Sequence, residues 1–173
     1  MSDGALYDSV KALNDAYRTA LMNRKYYGYR LSRLRTVSRA MDIVIAVGTS
    51  SAIAAWAIWK STSAGENAWA VLAGLATLFA VVKPILNPSK DVDRYTKLFV
   101  GHGDVAYDLE TIVRKLGRVG SYTDEMQVAF ERAHARIKEL APDDDPKVDK
   151  KLLRRCFAEV RAEKPVDSLW WPV

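Results

Sequence analysis

Asp42, Ala46, Thr49, Ile53, Trp56 and Lys60 follow one another at three- and four-residue steps. A helix puts them on one face. The stripe begins with an acid and passes a hydroxyl, with Ser50 beside Thr49. That is what a pore-lining stripe would look like. Asp42 would concentrate cations at a mouth, Thr49 and Ser50 would offer oxygens to water or ions, and Ile53 would form an apolar constriction. The same stripe also reads as helix-to-helix packing, with hydroxyls bonded to their own helix and Asp42 paired with Arg39 or Arg35. Both readings stand at this level.

Other residues that could do chemistry carry weaker signals. His102 sits on an apolar helical face, where a lone histidine is more often packing than a pH sensor or ligand. Asp143, Asp144 and Asp145 lie between Pro142 and Pro146 without the spacing of a calcium loop, and read as a turn with Asp145 capping a helix. Cys156 has no base at a telling spacing and reads as a small core residue. Tyr26, Tyr27 and Tyr29 alternate with arginines. They could stack on bases, but read better as a helix-packing face with a cationic rim. No phosphate-binding glycine loop, zinc-ligand pair, hydrolase triad or potassium-filter segment is present in the sequence. No enzyme, cofactor, metal or nucleic-acid partner is expected.

The elements that must position the stripe are set by hydropathy. Ile43 to Trp59 contains no charge, nor does Ala68 to Val82, and the polar stretch Lys60 to Asn67 separates them. At about 1.5 Å of rise per residue, roughly 20 residues cross a hydrocarbon core. Two spans follow, about 42–60 and 68–86, joined as a hairpin, with Lys83 bending back to the interface. Trp56, Trp59 and Trp69 fall at the hairpin tip, where an aromatic belt would lie, while Arg35 and Arg39 mark the opposite boundary. Arginines and lysines crowd the outer flanks of both spans. The orientation rule therefore puts both termini in the cytoplasm, and no cleavable signal peptide is expected. Ala70 with Gly74, Ala73 with Thr77, and Gly48 in the first span are small residues of the kind that let helices approach. One hairpin cannot use all these faces, so a homo-oligomer is expected.

Outside the hairpin the pattern is helical. Leu6, Val10, Leu13, Tyr17 and Leu21, continued by Tyr27, Leu31 and Leu34, predict one long helix entering the first span. Asn87-Pro88-Ser89 starts a helix that runs to a cap near Gly117 and packs antiparallel to the first. Ser121 with Asp124 resembles a capping box. A last helix from about Pro146 to Ala162 would bury Leu153, Cys156, Phe157 and Val160. Trp170 and Trp171 in the tail need a groove, by default on their own subunit.

The chain has 173 residues, a net charge of +5 and one cysteine. Its mean hydropathy of -0.13 averages an apolar middle with charged ends. The basic surplus sits beside the first span, which points to anionic lipid headgroups. The organisation expected is an N-terminal helix over 1–40, a membrane hairpin over 41–86 and a helical region over 87–173. The fold class is an all-α membrane protein with two transmembrane helices.

This arrangement resembles the SLATT family, two-transmembrane effectors associated with SMODS and SLOG domains in bacteria. The likeness rests on RLSRLR at Arg30 to Arg35, GTSSAIAAW at Gly48 to Trp56, AVVKPILN at Ala80 to Asn87, DVDRYTKLF at Asp91 to Phe99 and LWWP at Leu169 to Pro172. It implies a pore-forming or membrane-perturbing effector of anti-phage and conflict systems in the inner membrane. Such effectors are held silent until a nucleotide-signalling partner acts. No sensing domain is fused here, so a separate sensor protein or ligand would be needed. The alternative is a non-conducting, membrane-anchored helical scaffold. A soluble helical bundle is the third and weakest reading.

Overall fold

A computed structural model describes residues 3–49, 63–86 and 88–172. Among these the only regular structure is helical, with no strand and five α-helices: α1 (Asp3–Thr49), α2 (Ser63–Leu86), α3 (Pro88–Val119), α4 (Asp124–Leu140) and α5 (Lys150–Glu163). Two 3-10 turns, Ala141–Asp143 and Val166–Ser168, complete it. The chain divides into two compact units: a bundle unit holding the residues up to Arg30 and from Arg94 on, and a hairpin unit, Leu31–Asp93. The divisions fall before Met41 and after Leu86, the boundaries that hydropathy marks.

In the bundle unit, Val10, Leu13, Tyr17 and Ala20 of α1 pack with Val105, Ala106, Leu109, Ile112 and Leu116 of α3. The two helices run antiparallel. Arg30 meets Tyr95, Gly28 faces Phe99 and Arg24 lies against Gly103, so one number falls as the other rises. Met126 and Ala133 of α4 close the same core. The tail docks on its own chain. Leu169 joins the core, Asn14 Nδ2 donates to the Trp170 carbonyl at 3.3 Å, and the Trp171 ring lies 5.4 Å from that of Tyr7.

Several helix ends differ from those the sequence suggests. Helix α3 continues past Gly117 to Val119 and stops at Gly120, whose φ of 69° is the left-handed conformation that glycine adopts without strain. The cap of α4 is Thr123, not Ser121: the Thr123 side chain accepts from Met126 N, and Ser121 lies two residues too far out. Helix α5 starts at Lys150, not Pro146, because Asp149 is its cap, accepting from Lys151 N and Leu152 N at 3.1 Å each. Phe157 is 53% exposed rather than buried. Cys156 and Val160 face the core, and the next position along a helix is rotated about 100° away. Its ring instead walls a shallow groove against Asp15, Arg18 and Met22.

In the hairpin unit, the end of α1 and helix α2 run antiparallel: Lys83 reaches Asp42, and Gly48 faces Ala76. Among the described residues one stretch, Asn67–Pro84, is long and apolar enough to cross a membrane. It corresponds to the second expected span. The first, about 42–60, runs beyond Thr49 and so lies partly outside the described residues.

Candidate functional site

Of the residues expected to line a pore or pack between copies, those among the described residues lie on α1 and α2. Asp42 is exposed, and its carboxylate accepts from Lys83 Nζ across the helix pair. This pairing crosses to α2, whereas the local partners that the sequence offers are Arg39 and Arg35. Ala46 is exposed, Thr49 is the last residue of α1, and Ser50, Ile53, Trp56 and Trp59 lie outside the described residues. Gly48 belongs to a contact within the chain, where an interface between copies is the expectation: a Cβ there would collide with the Ala76 methyl and sit 3.2 Å from the Leu72 carbonyl oxygen. On α2, Ala70, Gly74 and Thr77 are exposed and Ala73 is half-buried. Thr77 Oγ1 donates back to the Ala73 carbonyl at 2.9 Å, so its hydroxyl is bonded to its own helix. Arg35 and Arg39 are exposed; Trp69 and Lys83 are half-buried.

The outer surface of α2 is the unusual feature. Of the 18 residues Asn67–Pro84 only Ala76 is buried. Val71, Leu75, Leu78 and Val81 are all exposed, Val71 by 64%, as is Ile43 on α1. A core helix of a soluble bundle would be mostly covered, because exposed apolar area costs about 25 cal/mol per Å².

A second site lies wholly in the bundle unit, and it was not visible in the residue pattern. Asp145, on the connection between α4 and α5, has a side chain only 2% exposed. One carboxylate oxygen accepts from the Tyr95 hydroxyl at 2.7 Å and Arg94 Nη2 at 2.9 Å; the other accepts from the Tyr26 hydroxyl at 3.0 Å and pairs with Arg30 Nε at 3.2 Å. The phenols pass the bonding outward. Tyr95 oxygen accepts from Arg30 Nη2 at 2.8 Å and Arg94 Nη2 at 3.0 Å, and Tyr26 oxygen accepts from Asp149 N at 3.1 Å. Asp145 therefore caps no helix, because its carboxylate is taken by tertiary partners.

The neighbouring acids are engaged in the same way. Asp144 accepts from the Tyr27 hydroxyl at 2.7 Å, and Asp143 from Lys97 Nζ at 2.5 Å. Among the described residues no cluster of histidine, cysteine and acidic groups is placed to hold a metal ion. Tyr29 turns to α5, its hydroxyl 3.0 Å from Glu159 and its ring under Arg155. The aromatic run of α1 is thus a packing face.

No family model, curated protein or solved structure matches this chain. The physical state of the bundle site follows from its own contacts. Burial, reinforced by Asp144, pushes the Tyr27 hydroxyl well above the ordinary phenol range. Burial also raises Tyr26, with Asp145 adding to the shift. Burial opposes the charge on Arg30, but the Tyr95 hydroxyl and the Asp145 carboxylate outweigh it and the net shift is upward. His102 stacks on Tyr27 with ring centroids 5.5 Å apart, is 2% exposed, and has a hydrogen-bond partner at neither nitrogen among the described residues. Burial pulls it below the ordinary histidine value, against a smaller upward pull from Asp144. Cys156 is buried and its thiol is raised, chiefly by that burial. Its surroundings favour the unreactive thiol.

Proposed function

We propose that the chain is one subunit of an oligomeric, pore-forming membrane effector of a bacterial anti-phage or conflict system, gated through its helical bundle. The observation that carries the membrane part is that the apolar stretch Asn67–Pro84 has a single buried residue, Ala76. Lipid or neighbouring copies must cover such a surface. The exposed small residues Ala70 and Gly74 favour copies on part of it, since among the described residues nothing beyond α2's own backbone lies within 4 Å of a Cβ placed at Gly74. In this reading the hairpin spans the inner membrane twice, both termini are cytoplasmic, and Thr49, Ser50 and Ile53 face the pore. A separate sensor protein or its nucleotide product supplies the trigger, as the family resemblance implies.

A second reading has a specific observation in its favour. Asp42 is neutralised by Lys83 of the same chain, which removes the free acid a cation-attracting mouth would need. On that reading the hairpin is an anchor for a helical scaffold. Ion flux into liposomes reconstituted with the full chain separates the two. A pore gives flux, and Asp42→Asn, which frees Lys83, shifts its preference toward anions. An anchor gives no flux with either protein.

A further inference from the structure

The chain passes between its two compact units at only two places, Arg30 to Leu31 on α1 and Asp93 to Arg94 on α3. Arg30 and Arg94 are the bundle unit's own residues at these crossings. Both are held by Asp145, Arg30 on one carboxylate oxygen and Arg94 on the other. Their terminal nitrogens also bond the same Tyr95 oxygen, at 2.8 and 3.0 Å, which makes the two guanidinium groups close neighbours. Two like charges at that separation repel strongly in a partly dehydrated setting. The carboxylate between them turns repulsion into a clamp.

We propose that Asp145 is a latch, a buried carboxylate that ties together the two helical crossings, and that its removal lets α1 and α3 part there and loosens the adjoining ends of the hairpin unit. The latch sits on neither crossing helix. Asp145 belongs to the short connection between α4 and α5, fastened by Lys97 to Asp143, Tyr27 to Asp144 and Tyr26 to the backbone of Asp149. A partner that draws this connection away would therefore release the clamp while the core of Val10, Leu13, Val105 and Leu109 stays packed. This deepens the gating part of the function proposed above and rests on it only for ion flux.

The test is hydrogen exchange on the full chain in liposomes, read at residues 31–41 and 89–93, none of which holds Asp145 in the bonds described. With Asp145→Asn, amides in both segments should exchange at least about tenfold faster, because the two cations lose the charge between them. Adding Arg94→Gln to Asp145→Asn removes one of the repelling charges and should bring both segments back to within about threefold of the unmodified protein. Unchanged exchange in these segments with Asp145→Asn overturns the latch, as does failure of the double variant to restore them. If Asp145→Asn alone unfolds the bundle, seen as rapid exchange across Val105 to Leu116, restoration by Arg94→Gln decides in the same way. Flux is measured on the same liposomes. Spreading exchange without flux in any variant keeps the latch and removes the pore. Flux without spreading exchange keeps the pore and removes the latch.

Discussion

At the scale of single residues, His102 shows how burial converts a common side chain into a pH-dependent weakness. Its ring is sandwiched in the bundle against Tyr27 with no hydrogen-bond partner at either nitrogen among the described residues. The folded state therefore holds it neutral, with an affinity for protons below the ordinary value near 6.5. Above that value both folded and unfolded chains carry neutral histidine, and its contribution is complete. As pH falls through about 6.5, the unfolded chain takes up the proton first, so stability declines until the folded pKa is passed. The thermal midpoint should thus begin to drop as pH falls below about 7, above the range where most carboxylates titrate. His102→Phe, which keeps an aromatic ring against Tyr27, should flatten that slope. An equal slope in both proteins would rule His102 out as its source. The histidine's apolar setting is legible in helical periodicity, but its unpartnered nitrogens are not, since they depend on what α1 and the α4–α5 connection bring to it. Asp145 is a stronger case. Its donors come from Tyr26, Arg30, Arg94 and Tyr95, far away in sequence, so local reading sees only three acids between prolines and assigns a turn.

The elements divide by how local their causes are. Helices α1 and α3 are legible because an apolar rhythm of three- and four-residue steps, shifted once in α1 near Gly28, needs no tertiary information. Their partners and ends are less so, because several candidate caps compete within a few residues and geometry selects one. Ser121 and Thr123 both precede α4, and it is Thr123, with an extended backbone, whose hydroxyl accepts from Met126 N. Asp145 and Asp149 both precede α5, and the pull of Arg30 and Arg94 leaves Asp149 as the cap. Asp149→Ala should destabilise the bundle by about 1 kcal/mol in denaturant unfolding, whereas Asp149→Asn, an equally good cap, should cost only a few tenths. Equal losses would mean that the charge, not the cap, matters at this position. Thr123→Ala should fall at the low end, about 0.5 kcal/mol, because its bond to Met126 N is long at 3.4 Å.

At the scale of the whole molecule, two glycines separate what the chain does alone from what it does in company. Gly48 and Gly74 are both small residues in apolar helices, and sequence gives no reason to treat them differently. In the folded chain a side chain at Gly48 would strike Ala76 and the Leu72 backbone, neither of which has a flexible end to move aside. Gly48→Ala should therefore weaken the helix pair within one subunit by about 1–3 kcal/mol, measured as earlier unfolding in a denaturing detergent titration. Gly74 has open space around it among the described residues, so Gly74→Leu should leave the subunit's own unfolding unchanged. If copies approach along the exposed line of Ala70, Gly74 and Thr77, however, a leucine there holds the helices apart. Sedimentation in mild detergent should then show the Gly74→Leu protein in smaller assemblies than the unmodified chain. Assemblies of the same size would mean that this face meets lipid only, and contacts elsewhere would have to build any pore.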